Sequence, residues 1–384
     1  MRIGILTQPL HSNYGGLLQN YALQQVLLRG GHEVETIDHA APNATSIRTC
    51  LYHKKVNILH ALMPGRYAKP RYVPSAEEMS VIRKYTEHFI DAYIHRTQPV
   101  HSCGEFAEMA KRNGYDAFVV GSDQCWRPIY NPFLEDMFLR FVANREDVKR
   151  IAYAASFGTD VWEMSPEMTA RCSALAKRFD LITTREDSGV VLCKKYLDVD
   201  ATHVLDPTML LNKDDYEQLV EREHEPQSKG TLFEYILDPT PEKSAFIEKV
   251  SSLNQLVPFR VMPQYQNEIR TREHVKRHID ACVYPPVTAW LRAFMDAEMT
   301  IVDSFHGMVF SIIFNRPFWV IGNKKRGLSR FTSLLRQFNL DSRLIGLDEL
   351  SQIDVQSPID WESVNKKKND LQSFSTNLLL QALK

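Results

Sequence analysis

The chain has 384 residues, beyond the roughly 250 to 300 at which a single core stops growing, so two domains are expected. Apolar residues make up 44% and charged residues 24%, which excludes disorder, and 46 basic against 47 acidic side chains give no global electrostatic reason to bind nucleic acid. Any anion site must be local, and Cys50, Cys103, Cys125, Cys172, Cys193 and Cys282 are too widely spaced for a CxxC pair or a small disulfide framework, so they read as buried, reduced thiols.

The opening MRIGILTQPL runs directly into strand-like residues without the apolar core or cleavage site of a signal peptide, so the chain reads as unexported and cytoplasmic. Residues 2–7 form a buried strand, a polar loop follows, residues 17–28 carry apolar side chains at helical spacing up to Gly30-Gly31, and residues 32–38 form a second strand. This strand-loop-helix-strand unit suits parallel α/β architecture, and further strands at 116–120, 151–155 and 181–184 complete one Rossmann-like sheet. Residues 213–230 are polar and helix-prone, as a connector would be. Beyond them a second sheet is expected from strands at 231–237, 259–262, 300–302 and 318–321, separated by helices at 241–253, 287–295 and 308–314. The last of these helices is too short to span a bilayer. The expected organisation is an N-terminal Rossmann-like domain over 1–210, a C-terminal one over 211–350, and a helical tail over 351–384 whose apolar stripe, Leu371, Phe374, Leu378 and Leu379, packs back across the junction.

Between Asp38 and Glu77 there is no acidic residue, while Arg48, Lys54, Lys55, Arg66, Lys69 and Arg71 are interleaved with apolar side chains. This insertion, about 45–75, would suit peripheral contact with an anionic inner-membrane surface or with a lipid diphosphate; the plainer reading is a solvated basic face.

Five segments carry candidate chemistry. Asn13-Tyr14-Gly15-Gly16 opens the first helix, which also holds Gln19, and adjacent glycines allow close approach of a ligand to backbone donors. The segment is not a GxGxxG fingerprint, and a tight turn is the alternative. Gly121-Ser122-Asp123-Gln124 follows a strand, where ligands of open α/β sheets gather; Asp123 is either a base or orienting group for an acceptor hydroxyl, or a turn cap. Arg185, after the strand at 181–184, offers a planar fork to a carboxylate or phosphate, or else pairs with an acidic side chain. Asp303-Ser304-Phe305-His306-Gly307 places a histidine in the first turn of a helix beyond a strand, a position suited to proton transfer. Lys324, Lys325, Arg326 and Arg330 surround a helix start and form either a phosphate clamp or a solvated basic loop.

In order and spacing, Asn13-Tyr14-Gly15-Gly16, Gly121-Ser122-Asp123, Arg185-Glu186, Asp206-Pro207 and Ser304-Phe305-His306-Gly307 resemble the polysaccharide pyruvyl transferase family over most of the chain. The resemblance implies an α/β, GT-B-like fold with two parallel sheets facing a cleft. It also implies transfer of the pyruvyl group of phosphoenolpyruvate to a hexose as a ketal during capsule or exopolysaccharide synthesis. Phosphoenolpyruvate is then a co-substrate, and no metal or other cofactor is implied. His306 matches the family histidine near the donor and Arg185 its cleft arginine. Many members have Arg-Leu-His where this chain has Ser304-Phe305-His306, so Arg326 or Arg330 is expected to supply the missing cation.

On this reading His306 and Asp123 are catalytic, and Arg185, Ser304, Gly307, Lys324, Arg326 and Arg330 bind the donor. Asn13, Tyr14, Gly15, Gly16, Gln19 and Gln124 meet a saccharide acceptor, galactose-type and in one form lipid-diphosphate-linked. Two other readings share the architecture: a GT-B-type glycosyltransferase using a nucleotide sugar, and a noncatalytic carbohydrate-binding or assembly protein.

Overall fold

In the computed structural model the described residues are 1–39, 74–131, 134–265, 272–322, 327–349 and 353–384. The basic insertion, but for its last two residues, lies outside them. Six strands, β1 (Arg2–Leu6), β2 (Glu33–Thr36), β3 (Ala117–Val120), β4 (Lys149–Ala155), β5 (Leu181–Thr184) and β6 (Thr202–His203), form one sheet in the order β2-β1-β3-β4-β5-β6. Five more, β7 (Leu232–Tyr235), β8 (Pro258–Phe259), β9 (Met299–Val302), β10 (Phe318–Ile321) and β11 (Leu344–Ile345), form a second in the order β11-β10-β9-β7-β8. All pairings are parallel. The central strands are apolar runs because helices cover both faces, the pattern expected of parallel sheets.

One apolar cluster runs through both halves. It joins Ile3, Leu18 and Val119 of the first half to Phe233, Trp290 and Phe310 of the second, while separate clusters cover the far face of each sheet. The Trp361–Ala382 helix follows the second sheet in sequence but returns to the first half. There Gln372 donates to the Leu210 carbonyl at 2.9 Å, the Leu205 N–H donates to the Ser375 hydroxyl at 3.2 Å, and Lys149 donates to the Ala382 carbonyl at 3.0 Å. Its buried face is Val364, Lys368, Ser375 and Leu379, whereas Phe374, expected in the apolar stripe, is exposed. Among the described residues no helix is long and apolar enough to cross a membrane.

The expected strand at 259–262 shortens to Pro258–Phe259, and residues 213–230 contain a packed helix, Lys213–Arg222, as well as a connecting turn. The four described buried cysteines, Cys125, Cys172, Cys193 and Cys282, and the partly exposed Cys103 are unpaired by disulfides; Cys50 lies outside the described residues.

Candidate active site

Each sheet has a point where the chain reverses its direction of winding. In the first it falls between β1 and β3, in the second between β7 and β9. Loops leaving the carboxyl ends of such neighbours diverge and leave a crevice, the usual ligand site of open α/β sheets. Asp123 follows β3 and His306 follows β9, so the fold puts both at these reversal points.

The two loops meet around a buried ion network. Arg185, just beyond β5, is only 1% exposed, and a cation so deep requires anionic partners. It donates from Nη1 to Asp206 Oδ2 at 2.8 Å and from Nη2 to Asp123 Oδ1 at 3.0 Å. Asp206 Oδ2 also accepts from the Ser122 hydroxyl at 3.1 Å, and its Oδ1 accepts from the Thr208 hydroxyl and N–H at 2.7 and 3.0 Å. Burial by itself would raise both carboxyl pKa values. The His306 ring and Arg185 hold Asp206 far below the usual carboxylate range, and Arg185, His306 and Arg330 hold Asp123 below it. Burial would likewise lower Arg185, but Asp123 and Asp206 keep its pKa above the ordinary arginine value.

His306 enters from the other half of the chain. Its Nε2 lies 3.7 Å from Asp206 Oδ2, within ion-pair reach though longer than a hydrogen bond. The ring packs directly on Gly15, where a Cβ would fall 2.1 Å from Nδ1. Gly15 is therefore a glycine because the starts of two helices, Tyr14–Arg29 and Phe305–Ile313, approach across this point. Phe305 packs against all three: its ring centroid is 5.4 Å from that of His306, and the Arg185 and Arg330 guanidinium groups stand 4.3 and 5.9 Å from it. Arg330 is buried too. Burial, then Arg185, lower its pKa to about 10, which leaves it cationic at neutral pH.

The strand-to-helix turn that carries His306 is rigidly held. Asp303 accepts from the Leu237 and Asp238 N–H groups at 2.6 and 3.0 Å and from the buried Lys243 ammonium at 2.6 Å, tying the loops after β7 and β9 together. Ser304 is the helix N-cap and its hydroxyl oxygen accepts the Gly307 N–H at 3.0 Å.

The structure thus brings Asp123, Arg185, His306, Gly15 and Arg330 together, and it redistributes several other expected roles. Arg185 is not an open fork, because both terminal nitrogens are engaged by aspartates. Asp123 is correspondingly a poor base, an ion-paired carboxylate held deprotonated. Ser304 and Gly307 form a helix cap, which accounts for both residues without a ligand. Tyr14 does not face a crevice: its hydroxyl donates to the Pro285 carbonyl at 2.9 Å and its ring stacks on Trp290 at 5.7 Å, joining the two halves. Gln19 is fully buried, donating to Thr7 and to the Gly16 carbonyl and accepting from the Ser122 N–H, each at 2.9 Å. Gln124 Oε1 accepts from Arg127 at 3.1 Å and packs against Gly158. Asn13 is exposed at the helix start and folds over Gly16. Lys324 and Arg326 lie outside the described residues, so of the two expected substitutes for the missing cation the structure places Arg330.

Four residues without an assigned role at the sequence level join the site. Asp206 and Phe305 lie within quoted motifs, but nothing local marks one as the partner of Arg185 and His306 or the other as a shelf between guanidinium groups. Glu186 is fully buried: its Oε1 accepts from the Ser156 hydroxyl and the Phe157 N–H, both at 2.9 Å, while Oε2 has no hydrogen-bond partner among the described residues. Burial raises its pKa against the pull of Arg185 and Arg330.

The fourth is His11, in the loop after β1. Its Nδ1 accepts the Ser12 N–H at 2.8 Å, which assigns the proton of the neutral ring to Nε2. Burial and then the Arg83 guanidinium lower its pKa to about 4, against a smaller opposite pull from Asp123. Because the unfolded histidine binds its proton near pH 6.5 and the folded one near 4, acidification through this interval favours the unfolded state. Wild-type protein is therefore expected to lose more stability between about pH 6.5 and 4 than His11→Gln, measured as urea unfolding free energy against pH. Identical slopes would remove His11 as the source.

Comparison with known proteins adds to this geometry. A search of curated proteins finds no match by sequence. Among solved structures, a Listeria monocytogenes protein assigned as a UDP-N-acetylglucosamine 2-epimerase is similar at a TM-score of 0.51 and 12% identity, covering 99% of this chain and 94% of that one. The Methanocaldococcus jannaschii UDP-GlcNAc 2-epimerase in complex with UDP-GlcNAc and UDP gives a TM-score of 0.48 at 10% identity, covering 100% and 99%. At such identity the first likeness shows the fold alone, two Rossmann-like units in the GT-B arrangement. The family model for polysaccharide pyruvyl transferase matches residues 13–325, which include every motif described above up to the loop after β10. That is well over half of the sequence, and the chain belongs to the polysaccharide pyruvyl transferase family.

Proposed function

We propose that the protein transfers the pyruvyl group of phosphoenolpyruvate to two hydroxyls of one hexose, galactose-type, in a surface polysaccharide or its lipid-diphosphate-linked precursor. The observation that carries this reading is the meeting of His306 and Arg330, from the second half, with the Asp123–Arg185–Asp206 network of the first. In this reading residues 1–210 form the acceptor side, 211–350 the donor side, and 351–384 a tail across the junction.

The chemistry needs one proton shuttle and an anion clamp. His306, in its protonated form, gives a proton to C3 of the enol, and C2 takes up cationic character. The first sugar hydroxyl bonds to C2 and its proton returns to His306. The second hydroxyl displaces phosphate from C2, and its proton leaves on the phosphate. Atoms balance as one ketal bearing a methyl and a carboxylate, plus one hydrogen phosphate. No carboxylate base is required, which fits the ion-paired state of Asp123. Arg330 would hold the donor anion at the clamp while Arg185, through its aspartates, keeps the local charge balanced and in place. Asp206 is a positioning residue for His306. The donor is an intracellular metabolite, so the reading places the reaction in the cytoplasm.

Incubation with phosphoenolpyruvate and methyl β-galactoside is expected to release phosphate and yield a product heavier by one pyruvyl ketal in mass spectrometry. Turnover of a nucleotide sugar in place of phosphoenolpyruvate would replace this reading with glycosyl transfer. A folded protein that binds saccharide but turns over neither donor would leave a binding role.

A further inference from the structure

The loop after β3 ends in an exposed aromatic ring that the reaction above leaves unused. Tyr130 is 48% exposed and its neighbour Ile129 63%, in a protein whose other tyrosines and phenylalanines near the site are buried. Exposure alone would mean little, but the segment is braced. Arg127 stands 5.5 Å from the Tyr130 ring centroid and backs the ring. The guanidinium is itself fixed by two bonds to Glu163, at 2.9 and 3.0 Å, and one to Gln124 at 3.1 Å. Asn131, the next residue, donates to the carbonyls of Gln124, Cys125 and Arg127 at 3.1, 2.8 and 3.3 Å. Gln8, from the loop after β1, bridges to the Gln124 carbonyl and Asn131 at 2.8 and 3.3 Å. A half-exposed ring backed by a fixed guanidinium, on a turn whose backbone is braced on both sides, has less conformational freedom to lose on binding. The loop also begins at the active crevice: Asp123 starts it, and Gln124, which Arg127 holds, packs against Gly158, whose carbonyl lies beside Gly327 of the second half.

We propose that Tyr130 is the stacking platform for the acceptor saccharide, its open face meeting the C–H face of a hexopyranose and setting which sugar is held beside His306. The inference rests on the reading of the site as one that takes a saccharide, and it adds the residue that would select it. An aromatic ring suits this task because a pyranose presents apolar C–H groups on one face and hydroxyls at its rim, so stacking orients the ring while the hydroxyls remain free to react.

The test is saturation-transfer NMR with methyl β-galactoside, methyl β-glucoside and methyl α-mannoside on wild type, Tyr130→Ala and Tyr130→Phe, with phosphoenolpyruvate binding measured alongside by calorimetry. Wild type is expected to transfer saturation to the ring C–H protons of at least one glycoside. Tyr130→Ala should weaken that glycoside about tenfold, Tyr130→Phe should retain it, and phosphoenolpyruvate affinity should be unchanged in both variants. Unaltered thermal unfolding shows that the loop substitution leaves the fold intact. The proposal is overturned by the absence of transfer to all three glycosides in wild type, by equal transfer in Tyr130→Ala, or by a parallel loss of phosphoenolpyruvate affinity. Tyr130-dependent stacking without phosphoenolpyruvate turnover supports the platform while sinking the pyruvyl reading. Pyruvyl transfer with an unchanged acceptor KM in Tyr130→Ala does the reverse.

Discussion

Replacing His306 by glutamine is expected to lower kcat about 100- to 10,000-fold, the contribution of a positioned proton-transfer group, with little change in phosphoenolpyruvate binding. Glutamine preserves polarity beside Asp206 but has no titratable nitrogen. A second substitution approaches the same ring from the opposite half of the chain. In Gly15→Ala the new Cβ would fall 2.1 Å from His306 Nδ1, 2.2 Å from Cγ and 2.7 Å from Cβ, so rotating the ring about its own bond cannot clear the clash. The whole side chain must leave its place over Asp206. Gly15→Ala is therefore expected to reproduce most of the His306→Gln loss, although residue 15 carries no chemical group. Steady-state kinetics with thermal unfolding as the folding control decide the matter. A Gly15→Ala enzyme with near wild-type kcat would mean that the observed seat of His306 is not the working one.

The largest stability effect is expected at Asp206. Asp206→Ala leaves the Arg185 guanidinium buried with one carboxylate in place of two, and it removes the acceptor of the Thr208 hydroxyl and N–H, while the Ser122 hydroxyl keeps the Ala154 carbonyl at 2.9 Å. Removing one member of a buried ion network costs about 3 to 5 kcal/mol, because the remaining charge keeps its desolvation penalty without its partner. Asp206→Asn, which keeps shape and two of the hydrogen-bonding functions, should cost less. Urea unfolding provides the measurement. A loss below about 1 kcal/mol for Asp206→Ala would show that water or a shifted side chain rescues Arg185, and the network would then be no rigid seat for His306.

Much of the frame could be read along the chain. The bounds of β5 and β10 match expectation, and the helices at Pro241–Asn254 and Val287–Asp296 differ from it by a residue at one end. Long apolar runs and helical periodicity are local signals, and a parallel sheet covered on both faces makes them strong. The strands β6 and β11 have two residues each, too few to show any period along the sequence. The three helices between residues 76 and 113 lie outside the expected elements, though Ser75 caps the first with a complete capping box, a signal present in the sequence.

By itself, then, the sequence determined two parallel α/β units, a histidine in the first turn of a helix after a strand, and an aspartate and an arginine at strand ends. Tertiary structure alone decided what those groups are. Arg185 finds its carboxylates 62 and 21 positions away, Asp123 and Asp206, and His306 finds Gly15 across the junction between halves. The physical reason is that a buried charge must be paired, but any acidic side chain can pair it; which one does depends on strand order and on the crevice where two sheets meet. That choice turned an expected ligand fork into a structural cation and an expected base into its counter-ion; of two expected sugar contacts, it made Tyr14 a joint between the halves and Gln19 a buried brace between the loops after β1 and β3.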